Sequence, residues 1–164
     1  MSDLFRLFIN SASKSKQELQ KEIQRVIRKK IENVVEEAIR EIPKNSVFAD
    51  LCTGSGCIAW TLALEIPGAE VTAVDISEGA LELAVSQDFS QEVESIGARP
   101  PRFVKADVLM GPLIDLGKYD IIVSNPPYVM DREKTLMRSN VLDHEPHLAL
   151  FVPDDDPLLF YRAI

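Results

Sequence analysis

From Ser15 to Ile42 the apolar residues Leu19, Ile23, Val26, Ile27, Ile31, Val34, Val35, Ala38, Ile39 and Ile42 recur at spacings of three and four, the period of one face of an α-helix. The spacing predicts one long amphipathic helix, or two with a break near Lys29-Lys30. At about 1.5 Å per residue such a helix is about 40 Å long, more than a small sheet covers. Its first half therefore needs another partner, either Leu4–Ile9 folding back or a second chain. Pro43-Lys44-Asn45 ends the helix, and the pattern then changes. Short apolar runs at Ser46–Cys52, Glu70–Asp75, Arg102–Asp107 and Tyr119–Ser124 read as strands. Between them, Cys57–Glu65 reads as a helix with Ile58, Ala59, Leu62, Ala63 and Ile66 inside, stopped by Pro67-Gly68. Ser77 can cap a second helix, with Leu81, Leu83, Ala84 and Val85 inside. Asp156 reads as the cap of a last helix, with Pro157 at its first position and Leu158, Leu159, Tyr161 and Ile164 following. Strands that alternate with helices predict parallel βαβ units and a doubly wound α/β sheet.

Length changes this picture little. At roughly 150 residues per domain, the 164 residues make one domain with an appendage. The division expected is a helical segment at 1–45 and a sheet domain at 46–164. Charge is more informative. Residues 1–45 hold ten Lys/Arg against seven Asp/Glu, a net of +3, and residues 46–164 hold eight against nineteen, a net of −11. So acidic a body repels phosphate backbones and argues against a stand-alone nucleic-acid binder. The basic cluster Arg25, Arg28, Lys29 and Lys30 reads as a solvated helix face rather than a docking surface. No apolar run approaches the ~18 residues that span a bilayer. The start lacks the basic lead-in and small-residue cleavage site of a signal peptide. Cys52 and Cys57 build neither a disulfide framework nor, without nearby His, a metal site, and a reducing cytoplasmic setting fits them best.

Four places carry candidate chemistry. The first, Asp50-Leu51-Cys52-Thr53-Gly54-Ser55-Gly56, puts glycines where a first parallel strand turns into a helix. There the backbone can turn sharply and approach a ligand, and the helix aims free N–H groups at it. It is neither the dinucleotide G-x-G-x-x-G, since Ala59 and Trp60 occupy the third-glycine region, nor a P-loop, since no Gly-Lys-Ser/Thr follows. The second is Asp75, at the tip of strand two, where a carboxylate can accept both hydroxyls of a ribose. The third is Asp107-Val108, closing strand three, where a plain loop aspartate is nearly as good a reading. The fourth is Asn125-Pro126-Pro127-Tyr128, at the end of strand four, the sheet edge where open α/β sheets bind ligands. Two prolines remove two N–H donors and stiffen the turn, leaving carbonyl oxygens fixed and free. Together with the Asn125 side-chain carbonyl they can hold both hydrogens of a planar amino group, while Tyr128 stacks on its flat face.

Taken together, the strand–glycine run, Asp75 and Asn125-Pro126-Pro127-Tyr128 resemble class I S-adenosylmethionine-dependent methyltransferases that act on planar amino groups. Asp50 to Ala59 and His144-Glu145-Pro146-His147-Leu148-Ala149-Leu150 are similar to the HemK/PrmC group, which methylates the side-chain amide of a glutamine in peptide chain release factors. The resemblance spans about residues 32–164. It implies a Rossmann-like sheet in the order 3-2-1-4, with helices on both faces. It implies that Cys52, Thr53, Gly54, Ser55 and Gly56 cradle the methionine part of S-adenosylmethionine, that Asp75 takes the ribose, and that Asp107 and Val108 flank the adenine. Asn125 to Tyr128 would hold the glutamine amide, Asn125 bordering the cofactor as well, and Glu145-Pro146 would shape the substrate side. S-adenosylhomocysteine would be the product. His144 and His147 read as packing or surface residues rather than a metal pair, and Asp154-Asp155-Asp156 as a turn and helix cap.

The chain also departs from that family. Lys29-Lys30-Ile31-Glu32-Asn33 stands where the family carries a Pro-Arg-Pro-Glu-Thr-Glu segment, and four of seven sheet strands are present before the sequence stops. A shortened chain is the expectation, self-associating through the edge of strand four or through the long N-terminal helix. Two alternatives stay open: methylation of exocyclic amino groups in DNA or RNA, which the same four-residue motif serves, and an inactive remnant that binds the cofactor or merely associates with partners.

Overall fold

The computed structural model describes residues 42–110, 118–137 and 145–164. The expected N-terminal helix, the 1–45 segment but for its last residues, and His144 lie outside them. Ten regular elements follow: β1 Val47–Leu51, α1 Cys57–Glu65, β2 Glu70–Asp75, α2 Glu78–Val85, α3 Ser90–Ile96, β3 Arg102–Lys105, β4 Ile121–Ser124, β5 Val129–Met130, β6 Phe151–Val152 and α4 Leu159–Ala163. The main sheet runs β3-β2-β1-β4, all parallel, in the order the resemblance implied. β5 and β6 form a separate two-stranded parallel sheet, which periodicity could not show because each strand is two residues long.

β1 sits at the centre because it is apolar on both faces. Phe48 packs with Ala59, Leu62, Ala63 and Ile66 of the α1 side and with Val71 and Ala73 of β2. Ala49 and Leu51 point the other way, to Val74 and Val108, with Tyr119 and Phe160 of α4 against them. Alternate side chains of a strand face opposite sides, so one run of five residues anchors both layers. α1 ends at Ile66, whose N–H donates to the Leu62 carbonyl at 3.1 Å. Gly68 then turns at φ +74°, where an added Cβ would lie 2.1 Å from Asn45 Oδ1. Trp60 Nε1 donates to the Ala84 carbonyl at 3.0 Å and locks α1 to α2. Ser77 caps α2 by accepting from the Ala80 N–H at 3.3 Å.

The structure moves several expected boundaries. β1 is one residue shorter at each end than expected, because Cys52 takes φ +60°. β3 stops at Lys105 and β4 starts at Ile121. β4 forms an edge of the sheet among the described residues, as expected, and Ile122 is 52% exposed. Val85, expected inside α2, is exposed. The last helix is not capped by the Asp156 side chain, which is paired with Arg162. The Asp156 carbonyl instead accepts from Leu159 N, and Pro157 and Leu158 form a turn before α4. α3, which has no buried residue, gave no apolar signal. No helix of the described residues is long and apolar enough to cross a membrane.

Trp60→Phe keeps the ring but strands the buried Ala84 carbonyl. The variant is expected to lose about 1–2 kcal/mol of stability, measured by denaturant unfolding against the parent chain.

Candidate functional site

The parallel register brings the ends of four strands to one edge. Leu51 pairs with Val74 and with Ser124, and Asp75 pairs with Lys105. Cys52–Gly56, Asp75, Asp107, Val108 and Asn125–Tyr128 therefore lie at or just past the last rungs of the ladder, on the C-terminal side. This is the side on which open α/β sheets bind ligands.

The first turn is built around Asp50. It is fully buried in β1, and its Oδ2 accepts from the Thr53 hydroxyl at 2.5 Å. The Ala59 N–H, in the first turn of α1, also bonds to the carboxyl. Gly56, the N-cap of α1, has no side chain with which to cap it. Asp50 thus reaches up from the strand to an orphan donor that a capping side chain would ordinarily take. Its Oδ1 has no partner among the described residues. Burial raises the Asp50 carboxyl from 3.8 to about 7, with Asp75 nearby adding to the rise and the two hydrogen bonds opposing it. The sequence reading placed Asp50 at the head of the first candidate run without giving it a role, although an acid inside Val47-Phe48-Ala49-Asp50-Leu51 was the signal.

Above Asp50 the backbone takes three left-handed steps, Cys52 at φ +60°, Gly54 at φ +56° and Gly56 at φ +78°. The two glycines do different work. A Cβ on Gly56 would lie 2.9 Å from the Ala84 Cβ and 3.1 Å from the Phe103 ring, so this glycine lets α1 close on α2 and β3. A Cβ on Gly54 would meet nothing within 4 Å and would occupy open space. Gly54 N donates to Asp75 Oδ2 at 2.7 Å, and Ser77 N to Asp75 Oδ1 at 2.8 Å. Asp75 thereby ties the glycine turn to the start of α2. Each carboxylate oxygen keeps a lone pair for a ligand. Ser55 lies half-buried beside Cys57, and its carbonyl accepts from Gln87 Nε2. Ile76, directly after Asp75, is 43% exposed and gives the strand tip an apolar surface that sequence reasoning did not single out. Cys52 is half-buried, and burial together with the Asp75, Asp50 and Asp107 charges pushes its thiol up to about 11. It stays a neutral thiol near neutral pH and so a weak nucleophile.

The remaining candidates divide. Asp107 Oδ1 accepts from Leu109 N at 2.9 Å and shapes its own turn. Val108 is buried among Ala49, Leu51 and Val74, so its side chain belongs to the core and only its backbone borders the edge. At the end of β4, Pro126 and Pro127 are buried while Asn125 and Tyr128 are exposed, Tyr128 by 58%. The diproline corner is thus rooted in the protein and leaves the side chains of Asn125 and Tyr128 exposed. All its peptide bonds are trans. Val129 N then donates to the Leu150 carbonyl at 2.9 Å, bringing the segment of Glu145-Pro146 towards β5. His147 packs edge-on against Phe151, with ring centroids 5.3 Å apart. Asp154 Oδ1 accepts from Arg132 N at 2.9 Å.

The model of the family described as "Methyltransferase small domain" matches residues 10–148. The chain belongs to that family. A release factor glutamine methyltransferase of Bacteroides thetaiotaomicron is 49% identical over 77% of this chain and 43% of its own length. One of Flavobacterium psychrophilum is 48% identical over 74% of this chain and 40% of its own. The chain thus spans about two fifths of the length of these relatives. The magnesium protoporphyrin IX methyltransferase structure of Synechocystis PCC 6803 aligns with a TM-score of 0.47 at 22% identity, over 80% of this chain and 55% of that one.

The residues of the first turn suit the cofactor that the resemblance implies. An orphaned buried carboxylate oxygen, a glycine whose Cβ direction is empty and an apolar strand tip together fit a ligand that carries a positive charge, hydroxyls and a flat ring. Gly54→Ala is expected to lower affinity for S-adenosylhomocysteine at least about tenfold by calorimetry, at a cost of about 1–2 kcal/mol in stability. Gly56→Ala is expected to cost more stability, about 2–3 kcal/mol, because its Cβ overlaps a packed neighbour. The stabilisation from the raised Asp50 is fully present below its ordinary value of 3.8 and is lost as pH rises through about 7. Unfolding free energy should therefore fall between about pH 4 and about pH 7, and Asp50→Asn should flatten that slope.

Proposed function

We propose that the chain transfers a methyl group from S-adenosylmethionine to the side-chain amide nitrogen of a glutamine in a peptide chain release factor. One observation carries the reading. The Asn125–Tyr128 corner and the Cys52–Gly56 turn leave the sheet side by side, from partner residues Ser124 and Leu51 of adjacent parallel strands. Family membership and the names of the two relatives support it. S-adenosylmethionine supplies, when bound, an electrophilic methyl carbon on a positively charged sulfur. The protein's task is to hold an unreactive nucleophile against it.

An amide nitrogen is a poor nucleophile because its lone pair is delocalised into the carbonyl. Asn125 Oδ1 and a proline-corner carbonyl accept its two N–H bonds and fix its plane. Tyr128 would press on the flat face and direct the nitrogen at the electrophilic methyl, and the extra amide proton would leave to solvent. No strong base is required, since the nitrogen becomes acidic once it carries the methyl. Alignment of this kind is worth about 7–11 kcal/mol at best. Asp75 would take the cofactor's ribose hydroxyls, and Cys52 contributes no competing thiolate near neutral pH.

The deciding assay supplies labelled S-adenosylmethionine with a release factor or with an adenine-containing oligonucleotide. Label is expected on a release-factor glutamine and not on the nucleic acid. Label on the oligonucleotide alone, or on neither despite calorimetric cofactor binding, would overturn the reading. Asn125→Ala is expected to abolish transfer while leaving S-adenosylhomocysteine affinity within about tenfold.

A further inference from the structure

The two halves of the site are joined differently on the two sides of β1. Towards β2 the joint is made by backbone: Thr53 N donates to the Val74 carbonyl at 3.0 Å, and Gly54 N to Asp75. Towards β4, among the described residues, no backbone bond continues past the Leu51–Ser124 pair. Beyond Asn125 the chain offers no donor, since Pro126 and Pro127 bring no N–H, and Cys52 turns away at φ +60°. In that gap the Ser124 hydroxyl donates to the Leu51 carbonyl at 2.7 Å. A side chain thus supplies the last rung of the sheet, at the point where the chain divides into the glycine turn and the diproline corner.

Serine is also the wrong residue for a strand end chosen on packing alone. The preceding run, Ile121-Ile122-Val123, is β-branched throughout, and another such residue would suit the pleat better. A strand-ending serine commonly spends its hydroxyl on its own loop. Here the hydroxyl crosses to the neighbouring strand, 73 residues away in sequence.

We propose that Ser124 is a positioning residue: its hydroxyl holds the acceptor corner at a fixed distance from the cofactor turn and so sets the alignment of the reacting nitrogen. The inference rests on the proposed function, and it assigns to Ser124 no contact with substrate. Its consequence is a coupling between the two halves that a merely structural serine lacks. Cofactor on the turn stiffens the corner through Leu51 and Ser124, and loss of the hydroxyl uncouples them while each half still binds.

The experiment compares the full chain with Ser124→Ala and Ser124→Thr, the latter keeping a hydroxyl on a residue suited to a strand. In Ser124→Ala, single-turnover transfer to the release factor is expected to slow by about tenfold to a hundredfold. Affinity for S-adenosylhomocysteine and KM for the acceptor stay within about threefold, well under the tenfold that 1.4 kcal/mol represents. Ser124→Thr restores the rate. A second readout needs no acceptor. S-adenosylhomocysteine is expected to slow hydrogen exchange at the Asn125 and Tyr128 amides of the parent chain and of Ser124→Thr, but not of Ser124→Ala. An unchanged rate in Ser124→Ala, equal exchange protection in all three chains, or a parallel loss of rate and both affinities would each overturn the assignment. Should the parent chain transfer nothing to glutamine, the proposed function fails and exchange alone decides the role of Ser124. Should Ser124→Ala fail to fold, Ser124→Cys takes its place, with the same outcomes expected because its thiol is a weak donor.

Discussion

A carboxyl buried without a full set of partners is the constraint around which the edge of this sheet is organised. Asp50 lies in the central strand with no exposed surface, and burial is the largest influence on its ionisation. A polar group in such a place costs free energy unless it is hydrogen-bonded. The chain answers with the Thr53 hydroxyl and the Ala59 N–H, one from the turn that follows and one from the helix beyond it. Those bonds pull the turn down onto the strand end and fix where α1 begins. Gly56 can then serve as N-cap without a capping side chain, and its missing Cβ lets Ala84 and Phe103 close in behind. Backbone shape at the cofactor turn is therefore a product of one buried acid and two glycines with separate roles.

From that centre the site extends by one rung in each direction. Asp75 accepts from both Gly54 and Ser77, so a single carboxylate joins the end of β1 to the beginning of α2. On the other side the joint is a hydroxyl, and past it the backbone has no donors at two successive positions. The acid-rich side and the donor-poor side meet at Leu51, the last residue of β1. A cationic or hydroxylated ligand has partners on one flank, and a group rich in N–H bonds has acceptors on the other.

Most of this arrangement was legible in the sequence where local pattern and tertiary environment agree. Phe48, Leu62, Val71 and Val74 are apolar and buried, Ser77 caps a helix as its residue type favours, and the glycine and diproline motifs stand at strand ends. The losses have physical causes. α3 carries no buried side chain, so it left no periodicity to read, and Asp88 tethers its start by bonds to Ser90 that composition does not reveal. Asp156 is a good capping residue, but an ion pair with Arg162 claims its side chain, and α4 starts later on a backbone carbonyl. β5 and β6 pair across more than twenty residues with two rungs only, a contact without a local signature. Val108 is buried with Ala49, Leu51 and Val74, so position alone did not show that its side chain belongs to the core and only its backbone to the strand end.

The same reasoning explains why the acceptor corner needs no charge. A carboxylate beside a neutral amide would hold it well before transfer and afterwards alike, and equal binding of both states leaves the barrier unchanged. In the proposed reaction, carbonyl oxygens fixed by buried prolines would act differently: they would grip N–H bonds that become more polar as the nitrogen gains a methyl and a positive charge, so the grip would tighten along the reaction. Because Pro126 and Pro127 are buried while Asn125 and Tyr128 face outward, the acceptors are set in place before any substrate arrives and little reorganisation remains to be done. In the proposed reaction, rigidity at β4 and charge at β1 and β2 are complementary demands, and one parallel ladder satisfies both.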